Sequence, residues 1–293
     1  MSVNSENTAL RSVLLTTLAM MAFAANSLLC RQALGEGLID AATFTSVRVL
    51  SGAVILGLIV LIRRRPRAPS TANWRSAAML FTYMAFFSFA YLSLGAGTGA
   101  LILFGAVQLT MFIFALRQGE HFSLMSWAGL SLAVFGLIYL VSPGVTAPDL
   151  SGAILMAIAG IAWGAYSLMG RGAADPLEAT ARNFVYSAPL VLIVSLFFMD
   201  EFSTTANGLA LAVASGAIAS GCGYVIWYAV LPTLSATRAA TVQLSVPAIA
   251  AFGGVVLLSE ELSLRLFLAS AVTLGGVALV LSQRAARQPD NQR

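Results

Sequence analysis

Leu10-Arg-Ser-Val-Leu-Leu-Thr-Thr-Leu-Ala-Met-Met-Ala-Phe-Ala-Ala-Asn-Ser-Leu-Leu-Cys-Arg-Gln-Ala33 decides the fold, because a second stretch lies over it without a gap 140 residues further on: Leu150-Ser-Gly-Ala-Ile-Leu-Met-Ala-Ile-Ala-Gly-Ile-Ala-Trp-Gly-Ala-Tyr-Ser-Leu-Met-Gly-Arg-Gly-Ala173. Nine of the 24 positions are identical, among them Ser27/Ser167 and the closing Arg31/Arg171. Apolar stretches resemble one another cheaply, so the matched arginine counts for more than the matched leucines. Two later matches extend the duplication. Val107-Gln108-Leu109-Thr110 corresponds to Val242-Gln243-Leu244-Ser245, and Glu120-His-Phe-Ser-Leu124 lies over Glu260-Glu-Leu-Ser-Leu264, again 140 apart. Between these anchors the first copy is five residues shorter and lacks an equivalent of Pro247.

The chain is 59% hydrophobic and 10% charged, against roughly 25% charged in soluble domains. That composition predicts an all-α polytopic membrane protein. A membrane-spanning helix needs about 20 mostly apolar residues. Runs bounded by charge, Pro or Gly place ten: 10–33, 40–62, 74–95, 98–117, 123–142, 150–171, 178–199, 207–231, 236–258 and 263–283. Gly95-Ala-Gly-Thr-Gly99 reads as a tight hairpin, Pro143 to Asp149 as the linker between halves, and Pro232-Thr-Leu-Ser235 as another turn. Five segments per copy is an odd number, so the second copy enters from the opposite face. The domains are thus a first repeat at 10–142, an inverted second repeat at 150–283 and a short tail at 284–293.

Arginine placement sets the orientation. A cytoplasmic N-terminus leaves thirteen arginines on the inner side, including Arg63-Arg-Arg-Pro-Arg67, and only Arg31, Arg48 and Arg265 outside. Both termini are expected in the cytoplasm. The N-terminal apolar run flows into the repeat and reads as structural rather than as a cleaved signal. Cys30 and Cys222 have no metal-ligand spacing and read as small buried side chains. No cofactor, metal or nucleic acid is implied; the basic pI comes from loop arginines.

The polar residues inside the segments carry the function. No Asp or Glu falls in the central third of any segment, which argues against coupling through a membrane-embedded carboxylate. Neutral groups stand there instead. Asn26 and Tyr166 occupy equivalent positions in segments 1 and 6, as do Phe23 and Trp163; Gln108 pairs with Gln243 and Thr110 with Ser245. An amide in hydrocarbon needs a partner, so Gln108 and Gln243 either bond a neighbouring helix or face a wet cavity. Trp163 lies midway along its helix, too deep for an interfacial belt, and Gly160 and Gly164 beside it allow close helix approach. It is expected on a cavity wall. Tyr83 punctuates segment 3, whereas Tyr139 and Tyr224 read as belt residues near helix ends. Arg48, about 12 Å into segment 2, either contacts a substrate carboxylate or, as its position favours, snorkels outward with Asp40 or Glu36 as partner. Gly129, Gly136, Gly275 and Gly276 mark packing faces.

Ten helices in two halves, with Gln243-Leu-Ser-Val-Pro247, Leu258-Ser-Glu-Glu-Leu262 and Gly276 closing the second, resemble the EamA repeats of the drug/metabolite transporter superfamily. Within it the chain is similar to the YddG-type exporters of amino acids. The resemblance implies a bacterial inner-membrane carrier whose central cavity is walled by helices 1–4 and 6–9, with helices 5 and 10 peripheral. The expected function is export or exchange of amino acids, aromatic and other neutral ones included, by alternating access through an uncharged cavity. Gln108, Gln243, Asn26 and Ser245 would bind the polar ends; Trp163, Tyr83 and Tyr166 would supply the apolar wall and a face for the ammonium. Pro189 and Pro247 are the hinge candidates, and segment 9 is expected to bend where segment 4 does not. The protein is expected to be a monomer or weak dimer. Other readings are efflux of drugs, nucleosides or sugars, a lipid flippase, or a membrane protein without transport. An intramembrane enzyme fares badly, because the single histidine, His121, sits in a loop and no nucleophile–base couple shares a depth.

Overall fold

A computed structural model describes residues 2–63, 73–170, 173–234 and 236–287. Arg64, Arg65, Arg67, Arg171, Ser235 and Arg293 lie outside the described residues, as do the side chains of Arg238, Arg284 and Arg287. The first half comprises α1 (Ser2–Gly35), α2 (Ala41–Ile62), α3 (Trp74–Ala90), α4 (Ala96–Arg117) and α5 (Leu124–Val141). The second comprises α6 (Leu150–Met169), α7 (Pro176–Phe197), α8 (Ala206–Val213), α9 (Gly223–Val230), α10 (Ala236–Gln243), α11 (Ser245–Leu258) and α12 (Leu264–Arg287). A wide π-type stretch, Ala214–Cys222, joins α8 to α9, so the two act as one span. With α10 and α11 likewise counted as one, nine spans among the described residues are long and apolar enough to cross a membrane; α3, at 17 residues, is the shorter tenth.

Lipid explains why so much of the chain is helix and why its outside is greasy. A spanning segment must satisfy its backbone internally, and large apolar side chains such as Leu61, Phe135, Phe197 and Phe252 stand more than half exposed around the bundle. A water-soluble protein would not leave that many uncovered. The protein is a polytopic helical membrane protein.

Acids that look like edge charges in the sequence start helices. Asp40 accepts from the Thr43 amide, Asp149 from Gly152, and Asp175 from Leu177 and Glu178, each quenching amides that a helix start leaves free. Asp149 also accepts from Ser151 and Ser93, and these three bonds, Ser151's first, hold its carboxyl below the usual range.

Inter-helix contacts come in matched sets. α2 packs on α7, α4 on α11 and α5 on α12, while α3 on α6 mirrors α1 on the α8–α9 span, and α4 on α6 mirrors α1 on α11. Close approach needs small residues. A Cβ on Gly160 would sit 2.6 Å from the Leu103 carbonyl and the Ala106 methyl of α4. Gly129 of α5 lies against the Gly276 carbonyl of α12, whereas Gly275 faces open space and packs on nothing. Neutral hydroxyls add glue: Ser46 and Ser195 share a 2.7 Å bond between α2 and α7, and Ser187 donates to the Ala77 carbonyl of α3.

One turn differs from the sequence reading, and the expected bend of the ninth segment is a break. α3 stops at Ala90, and Tyr91 to Gly95 make the hairpin; Gly97 and Gly99 belong to α4, where a Cβ would strike Ala251 and the Tyr91 ring. Their lack of side chain serves packing, not a turn. The ninth segment breaks at Leu244, while α4 is continuous. The break places Pro247 in the first turn of α11, where its missing N–H costs nothing. Pro189 stands exposed on α7, which runs through it without interruption.

Gly160→Val tests the α4–α6 contact. Forcing a branched side chain into that space should cost about 1–3 kcal/mol, seen as a lower melting temperature of the purified protein in detergent; an unchanged melting temperature would mean the two helices are not in contact.

Candidate functional site

The two ends of the bundle are built differently. At one end α1, α4 and α11 are tied together by charge. Ser259 adopts a left-handed conformation, φ 53°, that ends α11 and lets the Glu260 amide bond back to the Gly254 carbonyl. Glu260 is thereby turned towards Arg31, whose Nε donates to its carboxylate at 3.0 Å, while the Ala96 amide at the start of α4 donates at 2.9 Å. A carboxylate at a helix N-terminus is favoured by the exposed amides and the helix dipole. Arg31 also donates to the Tyr91 carbonyl. Across the same end the Thr205 amide donates to the Leu38 carbonyl and Arg265 to that of Ser142. This end is sealed.

At the opposite end, where Arg63 meets Asp175 and Arg182 meets Glu178, the bundle opens into a chamber of about 860 Å³. Glu120 and His121 stand at its mouth; the deeper wall carries Gln108, Trp163, Tyr166 and Gln243. Gln108 is half-buried, and its shielded Nε2 has no partner; of its two expected placements the structure shows the chamber lining. α5 and α12 also line the chamber, through Leu130, Ala133 and Val277. They are therefore not purely peripheral helices.

Aromatic rings close the inner end of the chamber. Trp163 stacks on Tyr224 at 5.6 Å and tilts against Tyr83 at 4.8 Å and Tyr166 at 5.6 Å. Beyond this partition lies a second cavity of about 30 Å³, touched by Asn26, Ser27, Tyr83 and Phe87. Trp163, Tyr224 and Gln243 border both spaces. Of the expected site residues, Trp163, Gln243, Gln108 and Tyr166 line the chamber, and Tyr83 and Asn26 line the small cavity. Ser245 lines neither: it is exposed and donates to the Val242 carbonyl one turn back. The break at Leu244 rotates it away from the position that the Thr110 match implies.

Four residues depart from the sequence reading. Tyr224 is buried in the partition rather than in a belt, because the wide Ala214–Cys222 turn sets its phase. Thr180 and Asn183, unremarked in the sequence, lie one turn apart on α7 and both bond the Tyr166 hydroxyl; their three-residue spacing on one helix face was the available signal. Arg48 does not snorkel. It is fully buried, its Nη2 donates to the Tyr83 hydroxyl at 3.0 Å, and its guanidinium lies over the rings of Tyr83 and Phe87 at 5.2 and 4.9 Å. Asp40, its expected partner, is occupied as a helix cap. The surroundings of the inner cavity are therefore not uncharged.

Residues 150–282 match the EamA-like transporter family. The uncharacterized protein PA1977 of Pseudomonas aeruginosa is 50% identical over 277 residues, covering 94% of this chain and 96% of that protein. The uncharacterized transporter YoaV of Bacillus subtilis is 21% identical, over 80% and 85% of the two chains. An uncharacterized transporter of Archaeoglobus fulgidus is 22% identical, over 82% and 88%. The second half of the chain is an EamA-like transporter family domain. A solved crystal structure, 19% identical, superposes with a TM-score of 0.68 over 95% of this chain and 99% of that one, which shows a shared fold. The matched EamA segment is the second half, the copy that carries Pro247 and Glu260.

The sealed end generates a labelling prediction. With Cys30 and Cys222 replaced, a cysteine at position 27, now buried, should resist a membrane-impermeant maleimide applied from the Arg31 side. Adding Glu260→Gln, which removes the charge partner of Arg31, should raise labelling several-fold; equal labelling in both backgrounds would show that the ion pair does not hold this end shut.

Proposed function

We propose that this EamA-family protein carries amino acids, aromatic and other neutral ones included, out of the cytoplasm or in exchange across a bacterial inner membrane. The observation that carries the reading is the chamber: open at one end, floored by Trp163, and separated by an ion-paired seal from the other side. Its size suits a small metabolite. Its inner wall offers aromatic faces to an apolar side chain or an ammonium group, and Gln108, whose shielded Nε2 lacks a partner, would serve a polar one after a small side-chain rotation.

The matched contacts of the two halves support inverted repeats working by alternating access. Opening the Arg31 end would break the Arg31–Glu260 and Ala96–Glu260 contacts; closing the mouth would bring α4, α7 and α9 together. The break at Leu244, beside Gln243 in the partition, is a place where such a movement can be absorbed. Arginine placement supports a cytoplasmic mouth, with both termini on the same side. The deep wall holds no carboxylate among the described residues, which favours transport without a membrane-embedded proton relay.

Purified protein in liposomes should move radiolabelled phenylalanine and other neutral amino acids without an imposed proton gradient, and a strict requirement for ΔpH would overturn the uncoupled reading. Trp163→Ala removes three ring contacts, each worth about 0.5–1.5 kcal/mol, and should reduce transport about tenfold or more. Gln243→Ala should also reduce it, with expression and melting temperature preserved. Normal transport by both variants would remove the chamber from the pathway.

A further inference from the structure

Arg48 is the largest fully buried side chain of the protein. A guanidinium at membrane depth is expensive, and such residues normally pair with an acid, line a water-filled path or bind an ion or substrate. No carboxylate lies within ion-pair distance of Arg48 among the described residues. Its Nη2 has only the Tyr83 hydroxyl, and its Nε and Nη1 have no hydrogen-bond partner.

The fold goes to some length to hold it there. α2 passes so close to the wide turn that the space of a Gly216 side chain is taken by the Arg48 backbone and the Ser51 hydroxyl. Ser215 of that turn donates to Asn26 Oδ1 at 2.7 Å, and Asn26 Nδ2 donates to the same Tyr83 hydroxyl that Arg48 engages. The Tyr83 oxygen thus accepts from two donors and stands where an anionic oxygen would be welcome. Tyr83 and Phe87, whose rings cover the guanidinium, and Asn26, bonded to Tyr83, are walls of the 30 Å³ cavity beyond Trp163, so that Arg48 itself stands one layer behind the cavity surface.

The other half provides an internal control. Asp40 caps α2 and Asp175 caps α7, and each is followed five residues on by a threonine, Thr45 or Thr180. Eight residues beyond the caps stand Arg48 and Asn183. Both donate to a tyrosine hydroxyl, Arg48 to Tyr83 and Asn183 to Tyr166. A neutral amide thus suffices for the architecture at this position. The charge on Arg48 goes beyond what packing requires.

We propose that Arg48 is a substrate-binding residue that receives the carboxylate of the transported molecule, with the Tyr83 hydroxyl and Asn26 amide as its neutral companions. One guanidinium matches one monoanionic group; a phosphate dianion would call for a second cation, and the cavity lining holds none. A zwitterion bound this way places its carboxylate at Arg48, its ammonium over the Trp163 and Tyr224 rings, and its side chain in the large chamber. The substrate class is then organic carboxylates, amino acids among them, rather than cationic drugs, sugars or nucleosides. This inference rests on the transport reading above and narrows its substrate.

The test measures dissociation constants for phenylalanine, phenylalanine amide and 3-phenylpropionate on full-length protein in detergent, wild type beside Arg48→Gln and Arg48→Lys, by competition against radiolabelled phenylalanine or phenylpropionate. Wild type should bind both acids at least tenfold more tightly than the amide. Arg48→Gln should lower the acids to the level of the amide while leaving the amide's affinity unchanged, and Arg48→Lys should keep part of the preference. A folded Arg48→Gln protein that still prefers the acids, or a wild type that binds acid and amide alike, overturns the assignment. Should Arg48→Gln fail to fold, the wild-type ranking and Arg48→Lys decide. Phenylpropionate bound through Arg48 without phenylalanine would sink the amino-acid reading and leave Arg48 standing. Phenylalanine and its amide bound equally would do the reverse, and binding of none of the three overturns both.

Discussion

Taking a hydrogen-bonding group from water into an apolar medium costs about 2–7 kcal/mol unless it finds a partner, and this penalty arranges most of the polar side chains in the bundle. Asp40, Asp149 and Asp175 sit at helix starts because free amides are concentrated there. Ser46, Ser187 and Ser195 turn their hydroxyls to carbonyls or to one another between helices. Glu260 collects an arginine and a backbone amide at the sealed end. Against that background the unpartnered groups of Arg48, Gln108 and Asn183 stand out; Gln108 and Asn183 line the chamber, and Arg48 lies behind Tyr83 and Phe87, two walls of the small cavity.

The two halves pack in matched pairs but differ in detail. The fourth helix is whole and the ninth is split at Leu244. The position eight residues into the second helix of each half holds an arginine in one copy and an asparagine in the other. On the proposed transport reading, symmetric scaffolding with asymmetric polar groups would give the charged end of a substrate one side from which to enter.

Trp163 connects these features. Gly160 and Gly164 on its own helix let α6 lie directly on α4, which brings the ring to the bundle axis. There it meets Tyr83, the companion of Arg48, on one side and Tyr224 on the other. The aromatic partition and the buried charge thus share Tyr83 as a common contact.

Much of this was readable from residues alone. Apolar length and the 140-residue repeat give ten helices in two halves, because the bilayer imposes a fixed span and leaves few other solutions. Depth predicts Trp163 on a cavity wall, whereas polarity leaves Gln108 and Gln243 between a helix–helix bond and a cavity. Tertiary structure decided the rest. Whether Arg48 reached for water or stayed inside depended on the Tyr83 and Phe87 rings of another helix. The phase of Tyr224 depended on the π-type turn before it, and the orientation of Ser245 on a helix break one residue earlier. A linear sequence specifies how deep a side chain lies in the membrane; the direction in which it points is set by neighbours distant in the chain.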